Sequence, residues 1–92
     1  GDIEGEAEFE IEDGSARKFM VEIEDGTPDE MYSVYLDGSA NPIATLTADA
    51  RGDTRLVIFN PDFTITDGTT LTVKDESNTV VLEGMFHPVL ED

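Results

Sequence analysis

The chain has 92 residues and no cysteine, and its twenty-two acids against five Lys and Arg give a net charge of −17. That length holds one domain, residues 1–92, burying about 60–65% of its unfolded surface without metal or disulfide staples. The charge argues against nucleic acid and anionic membranes, which need clustered Lys and Arg, and no apolar run approaches the roughly 18 residues of a membrane span.

The first element is the stretch 3–12. Ile3, Gly5, Ala7, Phe9 and Ile11 hold the odd positions, and Glu4, Glu6, Glu8, Glu10 and Glu12 the even ones. A period of two is a β-strand with one apolar face and one ladder of carboxylates. A loop Asp13-Gly14-Ser15 returns the chain into a second strand with Phe19, Val21 and Ile23 inward and Lys18, Met20, Glu22 and Glu24 outward. Pairing residues whose numbers sum to 28 keeps both apolar faces together. Glu10 then meets Lys18, while Glu6 meets Glu22 and Glu4 meets Glu24, each repulsive pair costing about 0.2–1 kcal/mol.

After the loop 26–30 the third strand is MYSVYLD, with Tyr32, Val34 and Leu36 on one face. The fourth, IATLTADA, turns Ala44, Leu46 and Ala48 inward, and the fifth, TRLVIF, buries Leu56 and Ile58. A longer connection from Asn60-Pro61 plugs the core with Phe63 and Ile65. The sixth strand, TTLTVKD, turns Leu71 and Val73 inward, and the seventh, NTVVLEGMF, turns Val80, Leu82 and Phe86 inward, with Gly84 leaving room for a large neighbour or a bulge. Asp13, Asp25, Asp37 and Asp49 recur every twelve residues, and short strands between regular turns mark a sandwich or small barrel. The expected fold is all-β, an Ig-like antiparallel sandwich of about seven strands, with a closed meander barrel as the alternative. Its expected core is Phe9, Ile11, Phe19, Val21, Ile23, Val34, Leu36, Leu46, Leu56, Ile58, Leu71, Val73, Val80, Leu82 and Phe86.

The run YSVYLDG…IATLTADARGDTRLVIF…DGTTLTVKDESNTVVLEGMF, within residues 31–86, resembles small β-sandwich modules that recur in large secreted bacterial proteins. The resemblance rests on a Tyr-x-Val strand, a Thr-rich strand and a closing Val-Val-Leu-x-Gly-x-Phe. It implies an extracellular or cell-surface setting and a spacer or appended binding unit, and it brings no catalytic residues. The Glu-rich first strand departs from it.

Several residues invite a site. Arg51-Gly52-Asp53 spells the integrin tripeptide at a hairpin tip, although glycine between polar residues is what any hairpin needs. His87, the single histidine, has no nucleophile or oriented acid to work with. Tyr32, Tyr35, Phe59 and Phe63 offer stacking surface for a sugar ring, against the usual place of strand aromatics in the core. The sharpest possibility is calcium, which takes six to eight oxygen ligands from clustered loops. Antiparallel strands reverse direction, so alternate turns gather Asp25, Asp29, Glu30, Asp49, Asp53, Asp75 and Glu76 at one end, and Asp13, Asp37, Asp62 and Asp67 at the other. No segment matches the D-x-[DN]-x-[DN]-G calcium loop, and aspartate is an ordinary turn residue.

The expected function is a non-enzymatic structural or interaction module of a larger extracellular protein, monomeric in isolation and without a resident cofactor. A calcium-binding or carbohydrate-binding module is the alternative. The glutamate ladder serves as a solvated face that keeps an edge strand from pairing with other chains.

Overall fold

Asp13 and Gly14 both adopt positive φ, 52° and 79°, and Glu12 pairs directly with Ser15. The loop is therefore a two-residue hairpin turn of the kind that Asp-Gly favours, one residue shorter than the expected Asp13-Gly14-Ser15. The odd residue is absorbed further along as a bulge. Glu10 pairs with Lys18 but Ile11 with Ala16, leaving Arg17 over. Arg17 reaches Glu12 at 3.1 Å and Glu10 at 3.5 Å. Below the bulge the expected register holds, with Glu6 opposite Glu22 and Glu4 opposite Glu24.

The computed structural model describes residues 2–88. Within them the chain forms β1 (Glu4–Glu12), β2 (Ser15–Glu24), β3 (Met31–Leu36), β4 (Ala44–Thr47), β5 (Thr54–Phe59), β6 (Thr70–Lys74) and β7 (Val80–Met85). One sheet has the order β1-β2-β5 and the other β4-β3-β6-β7, and every pairing is antiparallel. No ladder joins the two sheets, so the molecule is an open sandwich and the closed barrel is excluded. The edges are β1 and β5 in one sheet, β4 and β7 in the other.

The core lies between the sheets. Phe19, Val21 and Ile23 of the central strand β2 pack with Tyr32 and Val34 of β3 and Leu71 and Val73 of β6, all buried. The connection after β5 closes one end as expected. Phe63 sits edge-on to Phe19, with ring centroids 5.3 Å apart, and stacks near Phe9 at 6.5 Å, while Ile65 is buried. Such aromatic pairs add about 0.5–1.5 kcal/mol beyond the area they bury.

Two expected core residues lie outside it. Ile11 is 56% exposed and Val80 49%. Both sit beyond a bulge, and a one-residue slip moves a side chain off the core face. In β7 the slip falls between Val73 and Lys74 of its partner, so Val73 faces Leu82 but Lys74 faces Val80. Val81 and Leu82 then pack against the core in Val80's place. Met20 departs the other way. It is on the outer face as expected, yet buried, because β2 is central and Met20 lies between Glu8 of β1 and Val57 of β5.

One backbone contact ties the β2–β3 loop to the β4–β5 turn. Gly26 N–H donates to the Gly52 carbonyl at 2.9 Å, and Gly52 has φ of 87°. A Cβ on Gly52 would lie 2.0 Å from the Gly26 carbonyl oxygen. Gly52→Ala is therefore expected to cost about 3 kcal/mol or more, from left-handed strain plus overpacking. Gly38→Ala, also at positive φ but with open space around it, should cost only about 1–2 kcal/mol. Urea melts of the two variants decide this, and equal costs would mean that the contact between the loops contributes nothing. In the same assay Phe19→Ala should lose about 3–5 kcal/mol and Ile11→Ala under about 0.5 kcal/mol.

Candidate functional site at the acidic pole

Reversal of direction at each turn does gather the seven expected acids. Asp25, Asp29 and Glu30 lie in the β2–β3 loop, Asp49 and Asp53 in the β4–β5 turn, Asp75 and Glu76 in the β6–β7 turn. Direct contacts bind these three connections together. Asp53 Oδ1 accepts the Asp25 amide at 3.1 Å, and the Asp29 amide donates to the Asp49 carbonyl at 3.3 Å. Glu30 and Glu76 form a reciprocal staple. Glu30 Oε2 accepts the Glu76 amide and Glu76 Oε2 accepts the Met31 amide, each at 3.0 Å.

The β4–β5 turn, which crosses from one sheet to the other, and the β6–β7 hairpin turn share one design. Asp49 Oδ1 accepts the amides of Arg51 and Asp53 at 2.8 and 3.0 Å, and Asp75 Oδ1 those of Ser77 and Thr79 at 2.9 and 3.0 Å. In both, the amide three residues on donates to the aspartate carbonyl, from Gly52 and from Asn78. These two residues take the positive φ that the turn requires, 87° and 62°. An aspartate side chain that mimics a backbone turn does this generally. The sequence signal was present as Asp followed three residues later by Gly or Asn, and the expectation of a metal cluster passed over it.

The electrostatics divide accordingly. Amides of Asp53 and Arg51 aimed at Asp49 hold its carboxyl below the usual aspartate range. Glu24, at the adjoining end of β2, is pushed above the usual glutamate range by the hydrogen bond that its protonated form donates to Glu22 and by repulsion with Glu22, with smaller contributions from Asp53 and Glu4. Among the described residues, no group of three or more His, Asp or Glu side chains converges as a metal site would require.

At the opposite end, Asp37 pairs with Thr70 in both directions, its amide donating at 2.9 Å and its Oδ1 accepting at 3.0 Å. Asp67 lies 3.3 Å from His87 Nδ1, both well exposed. Asp13 is remote at the tip of the first hairpin. The Arg51-Gly52-Asp53 tripeptide is held in its turn, since the Gly52 carbonyl and an Asp53 carboxylate oxygen accept from the β2–β3 loop.

The four aromatics proposed for sugar stacking do not share a surface. Tyr32 is 2% exposed, its hydroxyl accepting the Thr27 amide at 2.7 Å, and Phe63 packs, partly buried, against the core cluster. Tyr35 lies under Lys74, whose Nζ is 4.8 Å from the ring centroid. Phe59, on the other sheet, is 68% exposed. Strand period explains Tyr32, which shares its face with Val34.

Opposite pH responses follow from Asp49 and Glu24. Folding favours ionised Asp49, so its contribution is complete above about pH 4 and is lost as pH falls below it. Folding favours protonated Glu24, so its contribution is complete in acid and is lost as pH rises through its raised value. Asp49→Asn should therefore lower the melting midpoint at pH 7 and flatten the acid limb, whereas Glu24→Gln should raise the midpoint at pH 7 and leave that limb intact. Thermal melts from pH 2 to 8 check this; an unchanged midpoint for Asp49→Asn at pH 7 refutes the turn role.

Comparison of the chain with known protein families, curated proteins and solved structures finds no match.

Proposed function

We propose that this domain is a non-enzymatic structural module of a larger extracellular or surface protein, set in line with its neighbours. The observation that supports this reading is the path of the chain. Glu4 opens β1 beside Glu24 at the acidic pole, while Met85 closes β7 beside Thr70 at the opposite end. Chain therefore enters at one pole and leaves at the other of a body whose longest extent is 38 Å. Modules joined through such ends extend one another instead of folding back. Carboxylate-closed turns at the poles suit that role, because they stiffen the connections where a neighbour would abut. The Ig-like reading of the sandwich rests on strand order. It is the seven-strand Ig arrangement with β4 moved from the sheet of β1, β2 and β5 to the sheet of β3, β6 and β7. The extracellular setting rests on the resemblance of residues 31–86 to modules of secreted bacterial proteins.

The second reading is calcium at the acidic pole, favoured by seven acids on three adjoining connections and by the repulsion that raises Glu24. Against it stand the backbone amides that already occupy oxygens of Asp49, Asp53, Asp75, Glu30 and Glu76.

Two measurements test these readings. In small-angle scattering, a tandem of two copies should lengthen by about one long axis, 38 Å, over the single domain; a tandem that folds side by side overturns the in-line reading. Thermal midpoints in chelator, calcium, magnesium and sodium chloride should rise together at matched ionic strength, as screening requires. A rise in calcium far beyond the others would replace the structural reading with a specific site.

A further inference from the structure

On the flank of the sandwich, the two edge strands β1 and β7 face each other across an apolar notch of about 170 Å³. Its origin is legible in the ladders. Gly5 pairs with Ile23 and Gly84 with Leu71, and both partners turn inward to the core. Each edge strand thus places a glycine at an inward position. At Gly5 the space is taken by Leu82, whose Cδ1 would lie 2.7 Å from an added Cβ. At Gly84 nothing among the described residues lies within 4 Å of where a Cβ would be. Ala7, Leu71, Leu82 and Phe86 are left lining a gap that opens to solvent.

We propose that this notch receives a basic, extended segment of another protein, which adds to the free edge of β7 and inserts an aliphatic side chain beside Gly84. Three features select that partner. First, among the described residues β7 pairs only with β6, which leaves its outer N–H and C=O groups free of them to form a new ladder, as in recognition by strand addition. Second, the notch is of the size that one or two Val, Ile or Leu side chains fill, and β7 also exposes Val80 and Met85. Third, the notch carries Glu6, Glu22 and Glu83 and neither Lys nor Arg. With an overall charge of −17, this draws cationic partners and repels a second copy of the same chain. β1 is the poorer host, because Glu4, Glu6, Glu8, Glu10 and Glu12 protect its edge. The notch lies between the edge strands of the two sheets and not in the connections at the poles, so the proposal does not depend on the in-line reading.

The probe is a capped nine-residue peptide alternating lysine with valine or isoleucine, beside the same peptide with glutamate for lysine. Amide resonances and exchange rates of Val80 to Met85 are followed in low salt and in 0.5 M sodium chloride. The lysine peptide should slow exchange in β7 and the glutamate peptide should leave it unchanged. Gly84→Val, which fills the notch at a position with open space, should weaken the lysine peptide by about tenfold or more, the loss expected when one buried aliphatic side chain is shut out. Should that variant fold poorly, Glu83→Lys with Glu6→Lys serves as the second test and should shift preference toward the glutamate peptide. Binding that ignores Gly84→Val and leaves the β7 amides unmoved would make the lysine peptide a general ligand of an acidic surface and overturn the proposal. Two other results would overturn it by naming another occupant. One is protection of β7 in the free protein that rises with concentration, which means a second copy. The other is protection released by deleting residues 89–92, which means the chain's own end.

Discussion

Everything in this domain depends on a dry contact between two strands' inner faces, Phe19, Val21 and Ile23 of β2 against Tyr32 and Val34 of β3, with Val73 beside them. All six are at most 2% exposed. Apolar burial is the term that must overcome chain entropy, and here it must also overcome a net charge of −17. The strand period separates the two problems. Each inward residue of β1 and β2 is followed by an outward one, so the acids stand in water, where screening acts over about 8 Å at physiological salt. Glu6 opposite Glu22 and Glu4 opposite Glu24 are tolerable because their repulsion is small beside the burial of a single Phe19 side chain.

Carboxylates at the poles have a different use. In a short sandwich the turns are a large share of the chain, and their amides need acceptors. Aspartate supplies them locally, at Asp49 and Asp75, and across loops at Asp53, Glu30 and Glu76. At Asp49 the engaged carboxyl gains stability from its charge, since a carboxylate is the stronger acceptor. Part of the acidity is therefore structural in origin. The rest, chiefly the ladder on β1, protects an edge.

The division explains what could be read from the chain beforehand. Seven strands, their inner faces and the register sum of 28 followed from period two and from turn residues, because burial of one face leaves little freedom of register. Ile11 and Val80 escaped that logic. A bulge changes the face of everything beyond it without altering composition, so alternation continues in the sequence while the side chains change sides. Gathering of the acids at one pole was legible too, since it needs only strand reversal. Their engagement by backbone amides was not, because a turn aspartate and a ligand aspartate look alike until the positions of the N–H groups are known. Tyr32 and Phe63 were available to a sugar only while their faces were undecided; burial beside Val34 and Phe19 removed them.

The notch was the least legible feature, for it arises from two glycines seventy-nine positions apart by number, Gly5 and Gly84. Glycine inside a strand weakens it and leaves a space where a side chain would pack. Here both fall on inward positions of edge strands that flank the same opening, and only one space is refilled, by Leu82. The edges are also treated unequally. β1 carries a glutamate at every second position, whereas β7 has Glu83 alone among Val80, Val81, Leu82 and Met85. A free strand edge with a single charge is a liability that proteins ordinarily blunt further. Protection of one edge and not the other, beside an unfilled inward position, is the arrangement expected where a strand is meant to be received.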